Sequence, residues 1–299
     1  MKNFNFINKR IVFFIIAAVM VAASVVSMAV RGFNLDTDFV GGTALYYELG
    51  EDLTDSASAE IQAIYNEKAG TSATVRTATD AKGNIQVVIT STELTTEQIA
   101  DVKTAMSEKF ENSAFNEQSS VGETVSKELR YSAIKAVIIA IILMLIYIWI
   151  RFDWRSGLSA ILCLAHDIVI MLGAYSILGI NMDSTVIAAL LTILGYSINA
   201  TIIVFDRVRE NNKNYSKLPF AENANNGVRQ TVTRSINTTL TTLFTIGMIY
   251  ILGVQSIRNF ALPIIVGIVA GLFSSVCLAT NFWVLFKGKK AFETPKKGK

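Results

Sequence analysis

The chain is poor in the residues that most covalent chemistry needs. Its 299 residues include two cysteines and one histidine. Cys163 and Cys277 both fall within apolar runs. They cannot build a disulfide framework, they lack metal-ligand spacing, and they read as small core residues. No nucleophile–base pair and no metal-binding cluster is evident, which argues against an enzyme and leaves no cofactor or metal to expect. Net charge is only +3, which says little for nucleic acid, and none is expected as a partner.

What the chain has in abundance is apolar sequence. Hydrophobic residues make up 52% and mean hydropathy is +0.43, rare for a soluble domain of this size, so the first expectation is a membrane protein. A bilayer core takes about 20 mostly apolar residues per helix. Six segments qualify: Ile11–Val30, Ser132–Ile150, Leu158–Leu178, Thr185–Phe205, Ile236–Leu252 and Phe260–Phe286. The first run is too long for a signal-peptide core, and Val30-Arg31-Gly32 is a poor cleavage site, so it reads as a retained anchor.

Charge sets the expected orientation. Lys2, Lys9 and Arg10 precede the first span, and Arg151 and Arg155 separate the second and third. Arg207, Arg209, Lys213, Lys217 and Arg229 separate the fourth and fifth, and the tail carries Lys287, Lys289, Lys290, Lys296, Lys297 and Lys299. With six spans all four groups fall on one side, and the opposite short loops hold only Arg258. Both termini are therefore expected in the cytoplasm, with 32–131 outside the membrane on the other face. The expected domains are 1–31 (N-terminus and first span), 32–131 (extracytoplasmic), 132–286 (five-helix bundle) and 287–299 (basic tail).

The block after the first span is more acidic than basic. It opens "RGFNLDTDFVGGTALYYELG", where Asp36 and Asp38 precede Gly41 and Gly42, a pair suited to a tight turn close to the membrane. Thr43–Leu49, Ser72–Ala78 and Asn84–Ser91 read as strands, with a turn at "DAKGN" between the last two. A further strand is expected near Phe115–Val121. Asp55–Ala69, with Ile61, Ile64 and Tyr65 on one face, and Glu97–Phe110, with Ile99, Val102 and Met106 inward, read as helices. The order β-α-β-β-α-β points to a ferredoxin-like α+β domain. Its acidic residues read as a solvated face or as a docking surface.

Ionisable residues within a span cost about 2.5–3.5 kcal/mol each on insertion scales and are functional candidates by default. The third span contains "CLAHDIVIM", placing His166 and Asp167 near its middle. Asp167 is the one carboxylate expected near the midplane. The pair either shares a proton or forms a buried hydrogen bond that fixes helix packing. In the fourth span Thr192, Tyr196, Asn199 and Asp206 follow helical spacing. Asn199 hydrogen-bonds but does not titrate, and Asp206 and Arg207 fall at the interface, solvated or paired. In the fifth, Arg234, Thr238, Thr241 and Thr245 share a face. Arg234 either snorkels or reaches Asp167 or Asp206, and the threonines are expected to cross-link helices. Gly267, Gly271 and Ser275 make a small-residue face for close packing in the sixth.

Taken together, "FNLDTDFVGGT", "SSVGETVSKELR", "RFDWRSGLSAILCLAHDIVI", "GYSINATIIVFDRVREN" and "RSINTTLTTL" resemble the SecF family. These are the smaller membrane subunits of the SecD–SecF accessory complex of bacterial protein secretion. The resemblance covers nearly the whole chain and is most specific in the fourth stretch. It implies a multi-pass membrane protein of the half-transporter type found in the resistance–nodulation–division (RND) superfamily. It further implies proton-motive-force-linked help to unfolded polypeptides crossing the SecYEG channel in the bacterial plasma membrane. SecD, SecYEG, exported chains, membrane lipids and a small YajC subunit are the implied partners. It maps the family's intramembrane arginine onto Arg234, its His-Asp pair onto His166 and Asp167, and an "FDR" ending onto Asp206 and Arg207. Many relatives read Asn-Asp-Thr where this chain reads Asn199-Ala200-Thr201, so Ala200 occupies the family's aspartate position and cannot carry a proton. Glu123 stands where relatives often have proline. The competing readings are an RND-type small-molecule exporter half, which would need a dimer or partner, and a non-transporting membrane scaffold.

Overall fold

The computed structural model describes residues 4–49, 53–79, 85–110, 112–253 and 255–294. The turn expected at "DAKGN" and the last basic residues of the tail lie outside the described residues. Six helices are long and apolar enough to cross a membrane. They are α1 (Arg10–Arg31), α5 (Glu123–Arg151), α6 (Trp154–Leu178), α7 (Thr185–Asn214), α8 (Phe220–Leu252) and the run that begins with α9 (Gln255–Phe273). That run continues through a π-helical segment, Ser274–Leu278, into α10 (Ala279–Lys287). The helices outrun the apolar windows that mark them. α5 starts at Glu123, α7 ends at Asn214 and α8 starts at Phe220. Helix continues into polar sequence as long as no breaker intervenes, so hydropathy marks the crossing and not the helix end.

The chain divides into two compact units. One comprises 1–31, 137–177 and 188–299; the other comprises 32–136 and 178–187. In the first unit α6 and the run through α10 are the most buried spans, whereas α1, α5 and α8 expose long apolar faces, such as Ile11, Val19, Ile138 and Phe244. Exposed apolar surface on this scale suits helices solvated by lipid. Close approach is built from small residues. A Cβ added at Gly173 on α6 would lie 2.3 Å from Ser24 Cβ on α1, and one at Gly267 on α9 would lie 2.7 Å from Ile193 Cδ1 on α7. Beside the first contact the Ser27 and Ser176 hydroxyls meet at 2.9 Å.

The second unit holds β1 (Asn34–Leu35), α2 (Thr37–Val40), β2 (Gly42–Glu48), α3 (Asp55–Lys68), β3 (Ala73–Thr79), β4 (Ile85–Ser91), α4 (Thr96–Lys109), β5 (Ala114–Val121) and β6 (Asn181–Met182). The main sheet is antiparallel in the order β3-β4-β2-β5, so the sequence order is β-α-β-β-α-β. Alternation along β2 sends Leu45 and Tyr47 into a core with Ile61 and Tyr65 of α3 and Ile99, Val102 and Met106 of α4. Ala44 and Tyr46 face the other side with Val88. α4 opens with a capping box: Thr95 Oγ1 accepts from the Gln98 N–H, and Gln98 Oε1 accepts from the Thr95 N–H. β1 and β6 form a separate parallel pair, Asn34 opposite Asn181 and Leu35 opposite Met182.

Candidate functional site

α6 owes its start to Asp153, whose Oδ1 accepts from the Ser156 N–H at 3.0 Å. From there small residues dominate its buried positions, among them Gly157, Ser159, Ala160 and Cys163. They let neighbouring helices come close enough to enclose Asp167 completely, at 0% exposure. A buried carboxylate is tolerable only when donors replace its hydration. Three groups converge on Asp167. His166 Nδ1 lies 2.8 Å from Oδ1. Oδ2 accepts from the hydroxyl of Ser274 at 2.7 Å and from the hydroxyl of Ser197. Ser274 begins the π-helical segment, and such segments are frequent at functional sites because they re-aim side chains within a helix. Gly271 completes the closure, since a Cβ there would lie 3.3 Å from Ser197 Cβ.

His166 contributes an asymmetric partner. Its Nδ1 faces Asp167, while its Nε2 is buried and has no hydrogen-bond partner among the described residues. The imidazole nitrogen and the carboxylate oxygen are thus in direct hydrogen-bonding contact, inside a site closed to solvent. Among the described residues no group of three or more His, Cys, Asp or Glu could hold a metal ion.

Ser197 and Ser274 were not among the residues that the sequence singled out. The expected stripe on the fourth span is Thr192, Tyr196, Asn199 and Asp206. Two residues along a helix turn about 200°, so Asn199 points away from the Ser197 side. Asn199 and Thr192 are exposed, Ala200 is half-buried, and Ser197 and Thr201 are buried. Of the expected stripe, Tyr196 reaches a neighbouring helix, donating to Thr239 Oγ1 of α8 at 3.0 Å, and Asp206 reaches Arg151 at the end of α5. Serines in apolar runs were the available signal, but a hydroxyl alone does not reveal which carboxylate it will meet.

The remaining candidates are placed apart from Asp167. Arg234 is exposed and makes no ion pair among the described residues. Asp206 pairs with Arg151 at 2.8 Å. Arg207 pairs with Glu210 at 2.7 Å. The stripe threonines of α8 do not cross-link helices as expected, although Thr239 beside them does, through Tyr196. Thr238, Thr241, Thr242 and Thr245 donate to carbonyls three or four residues back on their own helix. A hydroxyl bonded this way is satisfied without a neighbouring helix.

In the other unit Asp36 caps α2 through the Thr37 N–H at 2.7 Å and accepts from Tyr46 Oη at 2.5 Å. Asp38 Oδ2 accepts from the Ser184 N–H at 2.8 Å. Burial, reinforced by Asp36 and Asp38, holds Asp183 above the usual carboxylate range. Gly41 and Gly42 have φ of +79° and +97°. A Cβ at Gly42 would fall 2.1 Å from the Ser91 carbonyl oxygen, so glycine is required there.

Six apolar helices around an enclosed carboxylate, with an α+β unit between the first and second in sequence, define a multi-pass α-helical membrane protein. The chain belongs to the SecD/SecF family of protein-export membrane proteins. The model of the family "Protein export membrane protein SecD/SecF, C-terminal" matches residues 101–289. The protein translocase subunit SecF of Petrotoga mobilis is 36% identical over 94% of this chain and 95% of its own. That of Acidaminococcus fermentans is 36% identical over 97% and 99%. Among solved structures, the crystal structure of SecDF from Thermus thermophilus superposes with a TM-score of 0.81 at 33% identity over 96% of this chain. SecDF in a super-membrane-facing form gives 0.64 at 32% identity. This chain spans 39% of the length of each of those SecDF chains.

Proposed function

We propose that this chain, an auxiliary subunit of Sec protein translocation, works with SecD to draw unfolded polypeptides through SecYEG. The work is driven by the proton-motive force across the bacterial plasma membrane. Association with SecD is supported by relatives named SecDF, in which the matched region is 39% of a longer chain. SecYEG, exported polypeptides and a YajC subunit are further partners in this reading. Both termini are cytoplasmic and 32–131 is extracytoplasmic. The β-α-β-β-α-β unit is read as ferredoxin-like.

The observation that carries the coupling is the enclosure of Asp167 by His166, Ser197 and Ser274. Such a group costs about 2.5–3.5 kcal/mol on insertion scales, which makes it a functional candidate by default. Ala200 removes the titratable group from the adjoining helix, so proton coupling in this subunit rests on Asp167 and on a carboxylate supplied by SecD. The face that SecD covers is the polar one. Arg234, Asn237, Thr238 and Thr241 on α8 and Asn199 on α7 are exposed within or beside spanning segments, where lipid is a poor neighbour for them.

The test compares wild type with Asp167→Asn in vesicles containing SecYEG and SecD, with and without a proton gradient. The gradient-stimulated fraction of export should fall about tenfold or more, the scale of a lost proton-transfer group. An undiminished fraction removes Asp167 from the coupling.

A further inference from the structure

At the corner where α5 gives way to α6, a pocket of about 400 Å³ opens. Its walls are Ile150, Arg151 and Asp153 from the corner, Arg209 from α7, Phe220 from α8 and Lys287 from α10. Three cations line it against one carboxylate, and that carboxylate is committed: Asp153 Oδ1 accepts from both the backbone N–H and the hydroxyl of Ser156. Arg151 is paired with Asp206. The other two cations have no such partner. Arg209 donates one Nη1 hydrogen to the Arg151 carbonyl at 3.2 Å, and its remaining N–H groups are uncommitted among the described residues. Lys287 Nζ sits 3.6 Å from the Phe220 ring centroid and 5.9 Å from that of Trp283. Neither cation has a carboxylate within 4.0 Å among the described residues. Asp153 acts on Lys287 at longer range, but three positive charges against one negative leave the pocket net positive, which favours an anion.

The surroundings identify the anion. Trp149, Ile150 and Trp154, at the same ends of α5 and α6, are 81%, 83% and 65% exposed. Aromatic and apolar side chains beside basic ones mark the level at which a spanning helix leaves the hydrocarbon. Basic pockets between helix ends at that level suit lipid phosphates. We propose that this pocket binds the phosphate of an anionic phospholipid, held by Arg209 and Lys287, with its acyl chains along the Trp149–Ile150 end of α5. A guanidinium offers paired donors to phosphate oxygens, and the ammonium adds a point charge. A zwitterionic lipid has the same phosphate, but its headgroup ammonium meets the two cations unfavourably. The site therefore discriminates by net charge. The proposal requires only that these helices span a bilayer, and it stands independently of the export reading.

The test is native mass spectrometry of the full chain released from detergent in the presence of phosphatidylglycerol or phosphatidylcholine. Wild type should retain phosphatidylglycerol in preference to phosphatidylcholine. The double variant Arg209→Gln/Lys287→Gln should lose roughly 30-fold in phosphatidylglycerol affinity, the equivalent of two basic residues near an anionic surface. Arg209→Lys/Lys287→Arg, which keeps the charge, should retain most of it, which separates binding from a folding defect. Equal retention of the two lipids, or undiminished binding by the glutamine variant, overturns the proposal. So does displacement of the lipid by millimolar inorganic phosphate, which would make this a site for the free anion.

Discussion

Asp167 holds its place because donors arrive from three separate segments: its own helix, α7 and the π-helical segment. A hydrogen bond to a charged group is worth about 1.5–3 kcal/mol, more than one between neutral partners. Ser197→Ala and Ser274→Ala should each destabilise the full chain by about 1–3 kcal/mol, because each strips one donor from a carboxylate that no solvent reaches. Thermal unfolding in detergent reads this directly. The paired variant Ser197→Ala/Asp167→Asn discriminates further. If the serine acts through the carboxylate, its removal costs less once the charge is gone. Equal costs in the two backgrounds would mean that Ser197 merely fills space. Asn199, two residues on and exposed, gives the contrast, since Asn199→Ala has no such coupling to lose in the isolated chain.

Elements divide into those that pattern dictates and those that packing dictates. The strands and helices of 43–121 follow from alternation and 3.6-residue spacing to within a few residues; the helix expected over Glu97–Phe110 is α4, whose start one residue earlier is fixed by the capping box at Thr95. The spans were legible from hydropathy because about 20 apolar residues admit few other fates. What was not legible is which stripe of each span turns inward. A spanning helix has apolar residues all round, so hydrophobic periodicity has little contrast there. The Thr192–Asn199 stripe and the one through Ser197 therefore look alike in hydropathy. The break in the last span, where helix passes into a π-helical segment at Ser274, also leaves no compositional mark. Small residues were the better guide. The Gly267–Gly271 face meets Ile193 and Ser197 of α7 as close packing requires. Gly173 is the tightest such contact on α6, where an added methyl meets Ser24 at backbone as well as side chain, 2.9 Å from its Cα. Gly173→Ala should therefore lever α1 away from α6 and destabilise the chain by about 1–3 kcal/mol, the usual range for overpacking. Gly195→Ala, with nothing within 4 Å, should be neutral or slightly stabilising because alanine is the better helix former. Similar unfolding temperatures for the two variants would refute the close-packing account of Gly173.

On the scale of the whole molecule, orientation is a property that folding contacts do not determine. A bundle packs the same way whichever face meets the cytoplasm. The decision is made during insertion, by the positive charges that are not carried across. Thirteen of the cations that set it lie in three groups, Arg151 and Arg155, then Arg207 to Arg229, then Lys287 onward. All of these fall on one side when six spans are counted, and the same end of the bundle carries the proposed lipid-phosphate pocket. The sidedness of 32–131 is open to direct measurement. Cys163 is buried and Cys277 partly so, so a cysteine-free background is a conservative change. On that background Ser56→Cys in α3 and Asn212→Cys near the end of α7 place one exposed thiol in each unit. In intact spheroplasts a membrane-impermeant maleimide should label position 56 at once and position 212 only after permeabilisation. The reverse pattern would put 32–131 in the cytoplasm, where it could not act on chains emerging from the channel. Labelling of both positions in intact spheroplasts would require an even number of crossings between them, against the three spans α5, α6 and α7, unless the membranes leak, which a cytoplasmic control thiol detects.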